Sequence, residues 1–224
     1  ELRQFIEEKY VGYVQRRAEE IQKEAVVERA DGSEHRLSPD VPTVLAGHVT
    51  LQGAELSGSE RTTLIASEPK FTVGQLAVPP IDYVALGHIH RAQNRNPEGH
   101  PPVVYSGSIE RVTFGEREED KGFYLVNVDA NAEPRTTTTF VETPARPFVA
   151  LQVDARDAEA PTERILAVLD DAEVSDAVVR VRYHVEEEQI PLVDQGRIRN
   201  ALSDADTIAA IERTVDPAER KRRT

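Results

Sequence analysis

An apolar run that ends in glycine and histidine occurs twice in this chain of 224 residues, and the repetition constrains the fold more than any other feature. Thr43-Val44-Leu45-Ala46-Gly47 leads into His48, and Ile81-Asp82-Tyr83-Val84-Ala85-Leu86 leads into Gly87-His88-Ile89-His90. Short apolar runs bounded by turn residues are the pattern of strands buried in a sheet. A single histidine at a strand end is more often structural than a ligand. Three of them at strand tips suit a metal site, because the sheet fixes their positions while the loops leave coordination positions open.

Imidazoles alone carry no negative charge, so a two-metal hydrolytic centre needs an anionic bridging ligand in addition. Asp82 is a poor candidate for it. It precedes His88 by six residues and lies at the other end of a strand roughly 20 Å long by its rise per residue, which favours a structural role. By spacing alone the histidines also suit a single zinc ion. His35, His100 and His184 read as surface histidines, and His100 stands between Gly99 and Pro101 in a polar loop.

The organisation of the rest follows from periodicity and turn residues. Residues 1 to about 26 place Leu2, Phe5, Ile6, Tyr10, Tyr13, Val14, Ile21 and Ala25 at spacings of three and four, which predicts an amphipathic helix ending near Asp31-Gly32-Ser33. Its stripe of Phe5, Tyr10, Tyr13 and Val14 is expected to pack on a sheet. A Gly and Ser loop from Gln52 to Glu60 reads as the functional rim of that sheet. Strands follow at Val103-Val104-Tyr105, Gly122 to Val128 and Thr136 to Val141, as the second half of a sandwich. Pro144-Ala145-Arg146-Pro147 marks a domain boundary. Beyond it, a strand at Phe148 to Val153, a helix at Pro161 to Leu169, a strand at Val178 to Val185, a helix around Asp194 to Leu202 and a strand at Thr207 to Ile211 predict a small α+β unit.

Composition narrows the chemistry. There is no cysteine, which excludes disulfides, zinc-thiolate sites and thiol nucleophiles and agrees with a reducing, cytoplasmic setting. There is no methionine either, so a chain opening at Glu1 inside a helical pattern reads as a fragment, or as a chain whose N-terminal part is separate. No apolar run is long enough for a membrane span, and no signal-peptide pattern opens the chain. A formal net charge of −13 argues against bulk electrostatic binding of nucleic acid, although bound cations or a partner can reverse the sign locally. Arg180, Arg182 and His184 alternate with apolar residues and share one face of a strand that reads as solvent-facing. The basic run Arg220-Lys221-Arg222-Arg223 reads as a solvated end.

Three blocks taken in order carry a family resemblance: Ala46-Gly47-His48-Val49-Thr50, Asp82 through His90, and Val104-Tyr105-Ser106-Gly107-Ser108-Ile109-Glu110-Arg111-Val112-Thr113-Phe114-Gly115-Glu116. With Lys121-Gly122-Phe123 and Arg146-Pro147-Phe148 they resemble the SbcD family, nuclease subunits of the SbcCD-type complex that processes DNA double-strand breaks. The resemblance runs from about residue 43 to about 213. It implies an α/β fold with the second half of a β-sandwich, calcineurin-like metallophosphoesterase core flanked by helices at 1–145, and a small α+β capping, DNA-binding domain at 146–224. It implies two divalent metal ions, most simply Mn²⁺, with His48 and His88 on one and His90 on the other. Exonuclease and endonuclease activity on DNA, an SbcC-type coiled-coil ATPase partner and a homodimer within the complex are further implications.

The turn Tyr105-Ser106-Gly107-Ser108 needs glycine for its backbone geometry. It is also a candidate substrate-binding element, in which Ser106, Gly107, Ser108 and Arg111 approach a phosphate. The family's Asp-x-His, bridging Asp and Gly-Asn-His-Asp motifs have no counterpart in this sequence, so this chain by itself is expected to be inactive. Two alternatives accompany the nuclease reading: a small-substrate phosphatase or nucleotide phosphoesterase of the same fold, and a non-catalytic fragment that binds DNA or a partner.

Overall fold

The computed structural model describes residues 1–24, 26–36, 38, 40–58 and 68–216. Ala25, Ser59, Glu60 and the basic run at 220–223 lie outside the described residues. The chain divides between Ala145 and Arg146 into two compact units. In outline it is a mixed α/β protein with several separate sheets, and among the described residues no sheet closes into a barrel.

The first unit opens with helix α1 (Leu2–Glu24). Only part of its apolar stripe meets the core. Val14 and Ala18 are buried, one helical turn apart, and Tyr10 and Val11 pack against the same cluster. Leu2, Phe5, Ile6 and Tyr13 remain exposed, so Phe5 and Tyr13 depart from the expected packed face. The physical reason is angular: the apolar positions span a wider arc than one layer of core side chains can cover. The Tyr10 ring lies 4.8 Å from that of Phe71, and Lys70 N donates to Glu7 Oε1 at 2.9 Å, so the helix is tied to the chain that follows the second loop.

Where the turn signal at Asp31-Gly32-Ser33 ends the predicted helix, a small ribbon intervenes. Strands β1 (Val26–Glu28) and β2 (Glu34–Arg36) pair antiparallel across it. Asp31 Oδ1 accepts from both the backbone N and the hydroxyl of Ser33, at 2.9 and 2.6 Å.

The two apolar runs form adjacent parallel strands, β3 (Val44–His48) and, beyond β4 (Thr50–Leu51), β5 (Lys70–Phe71) and the single-turn helix α2 (Val73–Leu76), strand β6 (Tyr83–Gly87). With β7 (Gln93–Asn94) and β8 (Val103–Tyr105) they make a four-stranded sheet in the order β3-β6-β8-β7, where only β7 runs antiparallel to its neighbour. Val84, Leu86, Val103 and Tyr105 are buried on one face of the β6–β8 pair and Tyr83 and Val104 on the other, which is why those sequences read as continuous apolar runs rather than alternating ones.

Asp82 anchors the opposite pole. Its backbone N donates to Thr43 O, its Oδ2 accepts from Thr43 N at 2.8 Å, and its Oδ1 pairs with Arg135 Nε at 2.6 Å. Strands β9 (Gly122–Val128) and β10 (Thr136–Glu142) form a two-stranded antiparallel ribbon. The strands expected to complete a sandwich layer are thus divided: β8 joins the four-stranded sheet, and β9 and β10 pair with each other.

In the second unit, β11 (Phe148–Asp154), α3 (Pro161–Asp170), β12 (Val178–Glu186), α4 (Gln195–Ala201) and β13 (Thr207–Asp216) alternate along the chain. The three strands are all parallel, with β12 central. Helices and strands therefore interleave as βαβ crossovers instead of segregating as the α+β expectation had it, because a helix between two strands returns the chain in the same direction. Val179, Val181, Tyr183 and Val185 of β12 are buried beside Ile165, Leu169, Ile198 and Leu202 of the helical side. Burial of each such side chain contributes about 1.5 to 3 kcal/mol. Pro161 opens α3, and the Asp194 carboxylate caps α4 by accepting from Arg197 N at 3.0 Å. Arg180, Arg182 and His184 alternate onto the other face, where Arg182 pairs with Glu212. Among the described residues no helix is long and apolar enough to cross a membrane.

Candidate functional site

Parallel pairing brings two of the three candidate histidines together. His48 ends β3 directly opposite Gly87 of β6, so His88 emerges one residue further on at the same edge of the sheet. The imidazole centroids lie 5.0 Å apart, with the rings tilted by 59°. Gly87 makes room for this pair. A Cβ there would lie 3.0 Å from His48 Nδ1. Both rings stand at the C-terminal ends of parallel strands, where open α/β sheets place their ligands.

The turn that follows is shaped by alternation. Ile89 is buried in the sheet core while His88 and His90 on either side keep about a fifth and a third of their side chains exposed, at 21% and 35%. His88 itself has a φ of +93°, a left-handed backbone that a non-glycine residue adopts only when its surroundings enforce it. Strain of this kind concentrates at working sites.

Each histidine of the turn faces a carboxylate. His88 Nε2 lies 2.8 Å from Glu68 Oε2, and the same oxygen accepts from the hydroxyl of buried Thr50 at 2.9 Å. His90 Nδ1 lies 3.4 Å from Glu116 Oε1. Glu116 and Lys121 have no exposed side-chain surface, and Lys121 Nζ stands 2.6 Å from Glu116 Oε2. The ammonium also donates to Glu119 Oε2 and Ser108 Oγ, both at 3.0 Å, and to His90 O at 3.3 Å. A buried charge pair is tolerable only with its remaining hydrogen bonds met, and this one is so served.

The turn predicted to approach substrate is built into that support. Gly107 has a φ of +77°, and a Cβ on it would lie 2.7 Å from His90 O. Ser108 N donates to His90 O at 3.0 Å, and its hydroxyl donates to Glu116 Oε2 at 3.3 Å. Arg111 donates to the carbonyls of Ala145 and Glu119 at 3.1 and 3.0 Å. Ser106 is half-buried in the same turn. Gly107 and Ser108 therefore brace the His90 turn from behind, and Arg111 ties the following loop to the chain.

Tyr105 braces the other histidine. Its buried hydroxyl donates to Val49 O at 2.7 Å and accepts from Leu51 N at 2.9 Å, which holds the residues just after His48. Burial pushes this phenol up to about 12. The Gly and Ser loop is clamped over the next stretch: Gln93 accepts from Glu55 N and donates to Glu55 O, and Arg91 pairs with Glu55 at 2.9 Å.

Reading the sequence named the histidines but not Thr50, Glu68, Tyr105, Glu116 or Lys121 as working parts. All but Glu68 fall inside the recurring blocks. Glu68 is placed by tertiary pairing alone, since β4 and β5 run parallel with Thr50 opposite Lys70.

Imidazole nitrogens backed by carboxylates are the usual donors to a borderline divalent cation, and in this respect the residues fit one. They supply only part of a shell. Among the described residues no group of three or more His, Asp or Glu converges to hold a metal ion, and His90 stands with Glu116 instead of completing a triad.

No family model matches the sequence. Relatives do. SbcD of the SbcCD nuclease from Staphylococcus epidermidis is 32% identical over 116 residues, 52% of this chain and 29% of that protein. The protein of the same name from Escherichia coli K12 is 31% identical over 135 residues, 60% of this chain and 32% of its own length. An uncharacterized metallophosphoesterase of Bacillus subtilis, YhaO, is 38% identical over 96 residues, 42% of this chain and 21% of that protein. The comparisons support an SbcD-type metallophosphoesterase family for this chain. The matched region spans at most about a third of those curated relatives' length.

Proposed function

We propose that this chain is part of a metal-dependent DNA nuclease, with residues 1–145 contributing the later half of a sandwich-type phosphoesterase core and residues 146–224 a capping domain. The observation that carries the reading is the His48–His88 pair at the ends of adjacent parallel strands, with His90 two residues on. His48 and His88 would ligate one of two Mn²⁺ ions and His90 the other. When bound, such ions lower the pKa of a coordinated water and neutralise charge that builds on a phosphate.

The chain's own residues hold the donors in place. Gly87 leaves room for the His48 ring, Ile89 pins the turn to the core, and Tyr105 fixes the residues after His48. The sequence contains no Asp-x-His or Gly-Asn-His-Asp motif, so the anionic ligands would have to come from elsewhere, and this polypeptide by itself would be inactive. By extension from the relatives, DNA is the substrate, an SbcC-type coiled-coil ATPase is the partner, the assembly is a homodimer, and the setting is cytoplasmic double-strand-break repair.

The test is cleavage by the full-length protein. Linear duplex DNA should be cut with Mn²⁺ and nucleotide monoesters should not, and His88→Ala should abolish cutting. Hydrolysis of monoesters in preference to DNA would instead make the protein a small-substrate phosphoesterase. Absence of Mn²⁺ binding in titration would leave a non-catalytic binding role.

A further inference from the structure

At the end of β3 and β6 that carries no histidine, the first unit holds a cavity of about 590 Å³. Its floor is apolar. Ile81 and Pro101 are buried there, and Ile21, Val41, Pro79 and Pro80 form the walls. Apolar concavities of roughly 300 to 1,000 Å³ with a few polar groups at the edge are the usual form of a small-molecule site. The charges on this rim are nearly all of one sign. Lys23, Arg36, His100 and Arg135 line it together with a single carboxylate, Asp82. That carboxylate is already occupied, since Oδ2 accepts from Thr43 N at 2.8 Å and Oδ1 pairs with Arg135 Nε at 2.6 Å. Lys23 is partly matched by Glu19, 3.9 Å away and not in the lining. Arg36 is exposed and has no side-chain partner among the described residues. In a chain of net charge −13, such a group of cations departs from the average surface.

We propose that this cavity binds a small organic anion, with an apolar body seated against Ile81 and Pro101 and a carboxylate or phosphate group held by Arg36 and Lys23. The inference stands apart from the reading of the histidines and uses none of them. Each part of the ligand answers to a part of the cavity. The apolar body supplies affinity by displacing water from the walls, which a bare anion would leave wet. The anionic head meets a guanidinium whose fork of N–H donors matches two oxygens of a carboxylate or phosphate. The Asp82–Arg135 pair keeps the floor locally neutral, so the one carboxylate present does not repel the head. Proline supplies three of the six apolar lining residues, and its fixed φ holds those segments in shape before a ligand arrives.

The experiment titrates full-length protein by calorimetry, without added metal ions, with naphthoate and with naphthylmethylphosphonate. The two share an apolar body and differ in the head, so their relative affinities report whether a carboxylate or a phosphate group is preferred. The carbon–phosphorus bond of the second is not a phosphoester and survives any hydrolytic activity. At least one of them should bind about tenfold or more tighter than neutral naphthamide, the scale of a hydrogen bond to a charged group. Acetate and inorganic phosphate, which lack the body, should give no measurable heat. Arg36→Glu, on an exposed side chain of the β1–β2 ribbon, should weaken the anions about tenfold or more and leave naphthamide unchanged. Val41→Asp, which sets a carboxylate in the exposed part of the wall, should act in the same direction. Arg199→Glu makes the same charge change on an exposed residue of α4 and should alter neither anion. Equal affinity for naphthoate, the phosphonate and naphthamide, an Arg36→Glu protein that binds the anions as the wild type does, or no binding of either anion would overturn the proposal.

Discussion

The ammonium of Lys121 lies 2.6 Å from the carboxylate of Glu116, with neither side chain exposed to solvent. Charges so placed depend on each other. Lys121→Met should destabilise the protein by about 3 to 5 kcal/mol, because Glu116 is left as an uncompensated buried charge. The double variant Glu116→Gln with Lys121→Met should recover part of that loss. Urea unfolding midpoints of the two variants against wild type decide it, and a double variant no more stable than the single one would show that the pair is not the source of the effect.

Tyr105 offers a pH test. Its phenol is pushed up to about 12 by burial, so the folded state holds this proton more tightly than the unfolded state does. The stability it contributes is complete below the ordinary tyrosine range near 10 and is lost as pH rises toward about 12. Tyr105→Phe should remove that portion of alkaline destabilisation and lower stability at neutral pH by about 1 to 3 kcal/mol, since Val49 O and Leu51 N lose their partner. Thermal unfolding followed between pH 8 and pH 11 would register both effects.

Gly87→Ala places a methyl group 3.0 Å from His48 Nδ1. The backbone there is ordinary strand, so the fold should survive. The imidazole must shift by a few tenths of an ångström, and Mn²⁺ affinity of the full-length protein should fall about tenfold or more, in the range that disturbed ligand positioning produces. Calorimetric titration measures it; an unchanged affinity would remove His48 from the ligand set.

Asp82 provides the control. It ties Thr43 to Arg135 at the far pole of β6, roughly 20 Å from His88 by strand rise. Asp82→Ala should cost about 1.5 to 3 kcal/mol of stability, as loss of a charge-assisted hydrogen bond does, and leave metal affinity untouched. Loss of metal binding at a temperature where the variant is folded would contradict the separation of the two poles.

In the second unit, Ile165 is fully buried against β12. Ile165→Ala should destabilise by about 2 to 5 kcal/mol through the lost transfer term and the cavity left behind, read as a lower denaturant midpoint with an unchanged slope.

The sequence by itself was enough for the strands and helices that rest on local pattern. β3 and β6 appear as apolar runs closed by Gly-His, β12 as a strict alternation of Val179, Val181, Tyr183 and Val185, and α3 by its proline at the first turn. It was also enough to name His48, His88 and His90 as candidate ligands, because the Gly-His-x-His run stands in order with the other blocks. Packing decided the rest. Whether a row of α1 faces core or solvent depends on how wide a layer the sheet offers, and only Tyr10, Val11, Val14 and Ala18 find one. That Gly107 and Ser108 stand behind the His90 turn, and that Arg111 holds the following loop, was not legible, since a turn's sequence sets its own geometry but not what lies across from it. Glu68 carries no local signal at all: it reaches Thr50 and His88 from the chain just before β5, which pairs in parallel with β4 and sets Lys70 opposite Thr50. Periodicity is a property of neighbours along the chain, whereas the partner of an imidazole nitrogen is set by segments about twenty to forty residues apart that meet only when the sheet closes.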